Sequence, residues 1–163
     1  MNIIFVADKG EEKFLKKFPN TKVIITGIGE YNVIRTITKL LINNEISKDD
    51  KIFNIGYCGS NISPIGTVHK VDYSCWELGS NFVESIEVKL GKGEVKCYSS
   101  NNFVTKTNHI GIFDMELYTI ANIFPKVKAI KIVSDSLNMK EYHQVSVEDA
   151  WQEANKVLEK LLK

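Results

Sequence analysis

Short apolar runs alternate along the chain with segments whose apolar residues recur at helical spacing. The runs show no polar alternation, which is typical of strands that are buried on both faces of a sheet. They predict buried strands at Ile3–Ala7, Lys22–Thr26, Lys51–Ile55 and Ala129–Val133. Three further segments are rich in residues that favour strands: Thr67–Tyr73, Phe82–Leu90 and Val95–Tyr98.

Between these strands lie segments with the spacing of amphipathic helices. The clearest is Tyr31–Glu45, in which Val33 and Ile37 fall on one apolar stripe. Helices are also predicted at Glu11–Phe18, at Met115–Phe124 and after Ser146-Val-Glu-Asp149, a pattern like a capping box. The alternation predicts a single α/β domain over residues 1–163, with three layers and a central mixed, mostly parallel sheet.

Ligands of such folds bind beyond the carboxyl ends of the strands. Four predicted strand ends in this chain carry glycines or carboxylates. They lie at Asp8–Glu12, Gly27–Gly29, Gly56–Ser60 and Ser134-Asp135. We therefore expect the functional residues to meet at this edge of the sheet.

Composition and charge exclude several classes of function. The 163 residues include 21 basic and 20 acidic side chains, so the chain lacks the basic face that nucleic-acid binding requires. No apolar run is long enough to span a membrane, and Met1 leads into a strand-like segment without a leader pattern. The three cysteines are widely spaced. We expect them to be reduced thiols of a cytoplasmic protein, rather than parts of a disulfide framework or a zinc site.

The strand-end motifs have structural as well as functional interpretations. Gly27-Ile-Gly29 is either a tight turn or a place where backbone amides meet a ligand, and Asn32 stands where a dinucleotide-binding fingerprint needs glycine. Asp135 either caps the next segment or, facing a pocket, acts as a general acid. Glu11, taken alone, is a solvated residue of a surface helix. No spacing typical of metal ligands is found among His69, His109 and His143.

An acid–methionine–acid sequence opens one of the predicted helices. Asp114 and Glu116 flank Met115 there, and the helix dipole favours acids at such a position. The methionine either belongs to the core or offers a soft surface to a flat ligand. This motif therefore stays open between a helix start and a binding site.

Taken in order, the strand-end segments resemble those of the purine nucleoside phosphorylase and nucleosidase superfamily. The resemblance is closest to the methylthioadenosine/S-adenosylhomocysteine nucleosidases and extends over nearly the whole chain. It rests on Val23–Asn32 (VIITGIGEYN), Ile52–Ser60 (IFNIGYCGS), Ile65-Gly66, Phe113–Ala121 (FDMELYTIA), Ile130–Asp135 (IKIVSD) and the closing helix from Ser146.

The resemblance implies a nucleoside phosphorylase-like fold with a site for a purine N-glycoside. By this resemblance, Asp135 would protonate the leaving base at N7, Glu116 would hold the ribose hydroxyls and Glu11 would activate water. It also implies a homodimer, and neither a metal nor an organic cofactor. Substrate contacts are expected from Met115, Phe103, Val104, Gly29, Cys58, Gly59 and Ser134.

Water and phosphate are the two nucleophiles used in this superfamily. Its phosphorylases carry arginines near the end of the first strand and before the third, glycine-rich loop. This chain has Asp8-Lys9-Gly10 and Asn54 in those regions, and Arg35 is its only arginine. We therefore expect hydrolysis of the N-glycosidic bond, with a purine nucleoside phosphorylase as the alternative.

The chain also departs from the pattern of the superfamily. It is shorter than its relatives and lacks the strand pair that usually precedes the VIITGIG segment. Tyr57 and Cys58 replace smaller residues, which we expect to narrow the sugar site. A protein that binds a nucleoside without turnover and an interaction domain that binds none are therefore the alternatives from outside the enzymes. The nature of the nucleoside also stays open.

Overall fold

A computed structural model describes residues 1–77, 87–141 and 147–163. Within these ranges the chain forms one mixed sheet with helices packed on both faces. The strands are β1 (Asn2–Val6), β2 (Thr21–Ile25), β3 (Lys51–Ser60), β4 (Val68–Lys70), β5 (Tyr73–Trp76), β6 (Val88–Lys89), β7 (Lys96–Ser99), β8 (Ile112–Asp114) and β9 (Lys128–Asp135). The helices are α1 (Lys9–Glu12), α2 (Glu30–Ile42), α3 (Leu117–Ile123) and α4 (Glu148–Leu162).

Strand β3 joins the two halves of the sheet. On one side it pairs in parallel with β1, which in turn pairs in parallel with β2. On its other side it pairs in parallel with β9 as far as Gly59 opposite Asp135, with a register shift after Cys58, and β4 runs antiparallel along the far side of β9. Beyond the shift, Gly59 and Ser60 pair antiparallel with β8, which leads to β7, β5 and β6. Because the end of β3 pairs with both β8 and β9, the ends of these three strands lie together.

Two apolar clusters make the sheet the middle layer of three. Successive residues of a strand point to opposite faces, so Ile3 and Ile4 of β1 enter different clusters. Helices α2 and α3 cover the first face through buried residues that include Val33, Ile37, Leu117 and Ile120. Helix α4 covers the second face with Trp151, Ala154 and Leu158. The expected mixed, mostly parallel sheet with flanking helices is confirmed.

The predicted helix over Glu11–Phe18 is mostly wrong, since α1 ends at Glu12. The side chain of Asn155 in α4 forms hydrogen bonds with backbone groups of the segment that follows α1. Its Oδ1 accepts a hydrogen bond of 3.0 Å from Lys16 N, and its Nδ2 donates to Phe14 O at 2.9 Å. The Phe14 ring also stacks on Trp151, with ring centroids 5.7 Å apart. No strand lies between α1 and β2, as expected from the missing strand pair; the structure describes this whole stretch.

Other element boundaries also differ from the sequence analysis. The third strand continues through Gly56 to Ser60, because partners are available on β9 and then on β8. Strand β8 has only three residues and was not predicted. Of the β-rich segment predicted at Phe82–Leu90, the part at 82–86 lies outside the described residues, as does Ser146. No helix in the described part of the chain is long and apolar enough to cross a membrane.

Candidate active site

The carboxylate of Glu11 joins the ends of β1 and β3. Asp8 caps the short helix α1 by accepting a hydrogen bond from Glu11 N, and this turn brings the Glu11 side chain over the sheet. Glu11 Oε2 accepts a hydrogen bond of 2.6 Å from Ala7 N, and Oε1 accepts one of 2.7 Å from Tyr57 N. A methyl group on Gly56 would lie 2.6 Å from Oε1, so only glycine leaves the necessary room there.

Burial dominates the electrostatics of Glu11, whose residue is only 4% exposed. Loss of hydration raises the pKa of the Glu11 carboxyl, while the Tyr57 amide, the Lys131 charge and the Ala7 amide oppose this rise. The carboxyl is therefore a better base than an exposed glutamate. It is also held in one orientation by two backbone donors.

Glu116 lies immediately before α3 and connects this helix with α2. Its Oε1 accepts a hydrogen bond of 2.9 Å from the Gly29 amide. Gly29 caps α2 with a φ of 84°, in the left-handed region that favours glycine. A methyl group on Gly29 would lie 3.9 Å from Met115 Cε, so these three residues are close neighbours. The turn before α3 thus presents a carboxylate and a thioether side by side.

The pKa of Glu116 is raised to about 7, because the carboxyl is buried and lies near the negative charge of Asp114. Lys131 and the Gly29 amide act in the opposite direction. A carboxyl with this pKa exchanges its proton near neutral pH. A positive charge placed beside it would therefore lower its pKa and favour the ionised form.

Asp135 ends strand β9 and is almost completely buried. Its Oδ2 accepts a hydrogen bond of 2.9 Å from Ser134 Oγ, and its Oδ1 accepts one of 3.0 Å from Leu137 N. Ser134 Oγ also lies 3.3 Å from Cys58 O. Burial raises the pKa of Asp135, and the two donors oppose the rise. This favours the protonated form more than exposure would, as a general acid requires.

A small cavity connects Asp135 with several of the predicted substrate-binding residues. Its volume is about 30 Å³, which is close to the share of one water molecule in liquid water. The residues that border the cavity include Gly59, Phe103, Val104, Met115, Asp135 and Leu137.

A more open groove adjoins this cavity on the far side of Met115. Its volume is about 500 Å³, and its walls are mainly the exposed apolar side chains at the start of α2. Met115 borders both spaces, so the groove continues the site past the Met115–Glu116 turn. The lining residues include Ile28, Gly29, Tyr31, Ile34 and Asn101.

Two residues near the candidate site have no assigned role in the sequence analysis. Lys131 is not singled out there, and Asp114 belongs to a motif left open between a helix start and a binding site. Lys131 Nζ lies 2.6 Å from Asp114 Oδ2, and the two side chains are 1% and 0% exposed. A signal for Lys131 is present in the sequence, since it interrupts the apolar run of a strand predicted to be buried on both faces. A buried lysine needs a partner of opposite charge. Asp114 is therefore more than an acid at a helix start.

The side chains of Tyr57 and Cys58 do not border the small cavity beside Asp135. The Tyr57 ring contacts α4, where its hydroxyl accepts a hydrogen bond of 2.9 Å from Trp151 Nε1. The Cys58 thiol points to the opposite face of the sheet and packs in the core. The Tyr57 ring thus packs on α4, and the narrowing of the sugar site by Tyr57 stays a prediction. Cys58 approaches the site through its carbonyl group.

A larger cavity, of about 530 Å³, lies at the opposite edge of the sheet, where β3 and β9 begin. Its charged lining consists of Lys48, Asp49, Asp50, Lys51, Lys126 and Lys128. The buried carboxyl groups with raised pKa values lie at the other edge of the sheet, which makes that edge the candidate site although its cavity is smaller. In the part of the chain that the structure describes, no three His, Cys, Asp or Glu side chains are arranged to hold a metal ion.

Solved structures of known proteins share this architecture. Futalosine hydrolase of Helicobacter pylori superposes with a TM-score of 0.75 at 14% sequence identity, over 99% of this chain and 96% of that chain. A 5'-methylthioadenosine/S-adenosyl homocysteine nucleosidase of the same organism gives a TM-score of 0.74 at 14% identity, with the same coverage. A nucleosidase of Chlamydia trachomatis gives 0.75 at 18% identity, over 98% of this chain and 95% of that chain.

Sequence comparisons contribute no further relative. No protein-family model matches the chain, and a search of curated proteins finds no match. At such low identity, the likeness to solved structures concerns the arrangement of strands and helices. The chain therefore shares the fold of these nucleosidases and of futalosine hydrolase.

Proposed function

We propose that this protein hydrolyses the N-glycosidic bond of a purine nucleoside or thionucleoside of the methylthioadenosine/S-adenosylhomocysteine type and releases the free base. The observation that carries the proposal is that Asp135 and Met115 border one cavity at the carboxyl ends of the strands, with Glu116 directly after Met115 and bound to the Gly29 amide. Support comes from the fold, since nucleosidases and a futalosine hydrolase share it.

In the proposed reaction, the bond between ribose C1' and purine N9 breaks and its electron pair goes to the base. Asp135 donates its proton to N7 of the leaving purine. Glu116 binds the ribose hydroxyls and stabilises the positive charge that develops on the sugar. Glu11 removes a proton from water, whose oxygen bonds to C1'. A well-placed general acid contributes about 10²–10⁴-fold to the rate.

Charge distribution favours water over phosphate as the nucleophile. Arg35, the only arginine, is exposed on the outer side of α2. Lys9 is exposed as well, and Asn54 Nδ2 donates to Phe5 O within the sheet. A phosphate dianion beside Glu11 and Glu116 would meet mainly negative charge. These placements support hydrolysis rather than phosphorolysis.

We also propose that the active form is a cytoplasmic homodimer in which α2 packs against its copy. Four apolar side chains at the start and along the outer side of α2 are 44–77% exposed: Ile28, Tyr31, Ile34 and Ile42. This surface continues into the groove beside Met115, so a second copy would cover the open side of the site. All three cysteines are buried and free, which suits a reducing compartment.

A substrate panel tests the proposed activity. Release of free base is measured from methylthioadenosine, S-adenosylhomocysteine, adenosine, inosine and futalosine, each with and without phosphate. We expect release without phosphate from at least one adenine nucleoside. Release that requires phosphate would instead support a phosphorylase. Thermal stabilisation by a nucleoside without any base release would support a binding protein.

A further inference from the structure

The ion pair between Asp114 and Lys131 is almost completely buried, so both charges have lost their hydration free energy. Lys131 lies in the middle of β9, opposite Gly56 on β3 and His69 on β4, and its side chain reaches Asp114 at the end of β8. Removing two charges from water generally costs more than packing two apolar side chains in the same place. Stability alone therefore gives no reason for a lysine at this position.

The contacts of Asp114 indicate what the pair holds in place. Asp114 Oδ2 accepts a hydrogen bond of 3.0 Å from Leu117 N, the first amide of α3, in addition to the contact with Lys131. Asp114 Oδ1 accepts a hydrogen bond from Ser99 Oγ, which itself accepts one of 2.9 Å from Tyr118 N. Two amides of the first turn of α3 are thus bound to β7 and β8.

Glu116 projects from this same turn, between Asp114 and the helix. Several elements surround its carboxyl group with charged or titratable side chains. Lys131 contributes the positive charge among them, and Glu11 and Asp114 contribute negative charge. The thiols of Cys58 and Cys97, which neighbour Asp114 and Lys131, are neutral, because burial raises their pKa values. The charged groups that act on the Glu116 carboxyl are Glu11 of α1, Asp114 of β8 and Lys131 of β9. Cys58 of β3 and Cys97 of β7 lie near the Asp114–Lys131 pair, and Glu30 of α2 follows Gly29 in the sequence.

We propose that the buried Asp114–Lys131 pair is a positioning element that holds Glu116 at the start of α3 and balances its charge. Removing the negative partner leaves Lys131 free to stabilise ionised Glu116, so Glu116 should lose its proton at lower pH. Removing the positive partner leaves carboxyl groups facing one another, so Glu116 should lose its proton at higher pH. The opposite directions distinguish charge balance from a merely structural role. The importance of Glu116 for ribose rests on the proposed function, whereas its ionisation does not.

Carbon-13 NMR of protein labelled at glutamate Cδ measures this ionisation directly. The Glu116 resonance is assigned by its loss in Glu116→Gln. We expect its titration midpoint to move down by about one pH unit in Asp114→Asn and up by a similar amount in Lys131→Met, the order that Coulomb interaction of neighbouring buried groups produces. Lys131→Arg keeps the charge and should restore a midpoint close to that of the wild type. Lys22→Met, which removes the exposed ion pair with Glu45, is the matched control and should change nothing.

Equal midpoints in the wild type, Asp114→Asn and Lys131→Arg would overturn the proposal, and so would shifts in a common direction. If Lys131→Met does not fold, the other two variants still decide the outcome. Base release by the wild type is measured in parallel. Shifted midpoints without base release would support the charge balance while contradicting the proposed function. Base release with unshifted midpoints would support the proposed function while contradicting the charge balance.

Discussion

The carboxylate of Glu116 accepts a hydrogen bond of 2.9 Å from the backbone amide of Gly29. This contact joins the start of α3 to the start of α2 across 87 positions of the sequence. Both residues belong to segments at the carboxyl edge of the sheet, and the contact fixes the distance between them. The orientation of the Glu116 carboxylate therefore depends on the backbone conformation of Gly29, in addition to the contacts of Asp114 and Ser99 with the start of α3.

Gly29→Ala tests this dependence. An alanine at a φ of 84° costs about 1–2 kcal/mol of stability and displaces the amide from Glu116. Gly66→Ala is the matched control, since Gly66 has a φ of 90° and a methyl group there would meet nothing within 4 Å. We expect both variants to lose similar stability in chemical denaturation and only Gly29→Ala to lose base release. Equal loss of activity in Gly29→Ala and Gly66→Ala would show that the hydrogen bond between Gly29 and Glu116 does not contribute to activity.

Stability should vary with pH in a way that identifies Glu116. Its pKa is about 7 in the folded chain and ordinarily 4.5. Between these values the folded chain binds more protons than the unfolded chain, so the free energy of unfolding should fall as pH rises. The full effect is about 3 kcal/mol. Glu116→Gln removes it, so the variant should gain stability relative to the wild type between pH 5 and pH 8.

Denaturation curves at the two pH values measure this difference. Taking the variant minus the wild type cancels the contribution of Asp135, whose pKa is also raised. Glu11 interacts electrostatically with Glu116, so its contribution changes with the substitution and belongs to the measured difference. A difference that stays constant with pH would contradict the account of Glu116.

Much of the fold can be predicted from the sequence because four of its strands, β1, β2, β3 and β9, contain short apolar runs. The pattern of α2 is similarly clear, since its buried face is formed by residues such as Val33 and Ile37. The helix predicted after β1 failed for a reason that no local pattern contains. Its backbone is satisfied by Asn155, which lies more than 130 positions away.

The site was predictable to the extent that its residues end buried strands or open helices. Asp135 and Glu116 meet this description, and the structure places both at the same edge of the sheet. Roles for these residues came from resemblance to a family. Lys131 was missed because its meaning depends on Asp114, a partner on another strand. The small size of the cavity depends on packing between loops, which the sequence does not reveal.

Asn155→Ala should lower stability by about 2–3 kcal/mol, because it removes bonds to three backbone groups and leaves some of them buried without partners. Asn122→Ala is the matched control, since Asn122 also donates to a backbone carbonyl of its own helix but is exposed. We expect the control to change stability by less than about 0.5 kcal/mol. Thermal unfolding of both variants measures the difference. A similar effect of the two substitutions would contradict the anchoring role of Asn155.

The outer side of α2 should control association. Ile34→Lys places a charge in the apolar surface, and the wild type should be a dimer that this variant separates into monomers. Ile62→Lys is the control, because Ile62 is similarly exposed, at 47%, in the loop after β3. Sedimentation equilibrium measures the mass of each. A monomeric wild type, or a dimer that persists in Ile34→Lys, would contradict the proposed interface.

Isotope transfer from water tests the central claim most directly. Methylthioadenosine is incubated without phosphate in water enriched in oxygen-18, with the wild type and with Asp135→Asn. The account predicts adenine release by the wild type, one oxygen-18 atom in the sugar product by mass spectrometry, and a rate at least about 100-fold lower for Asp135→Asn. Asp49→Asn, an exposed substitution far from the site, should keep the wild-type rate. Sugar without the label, or full activity of Asp135→Asn, would contradict the account.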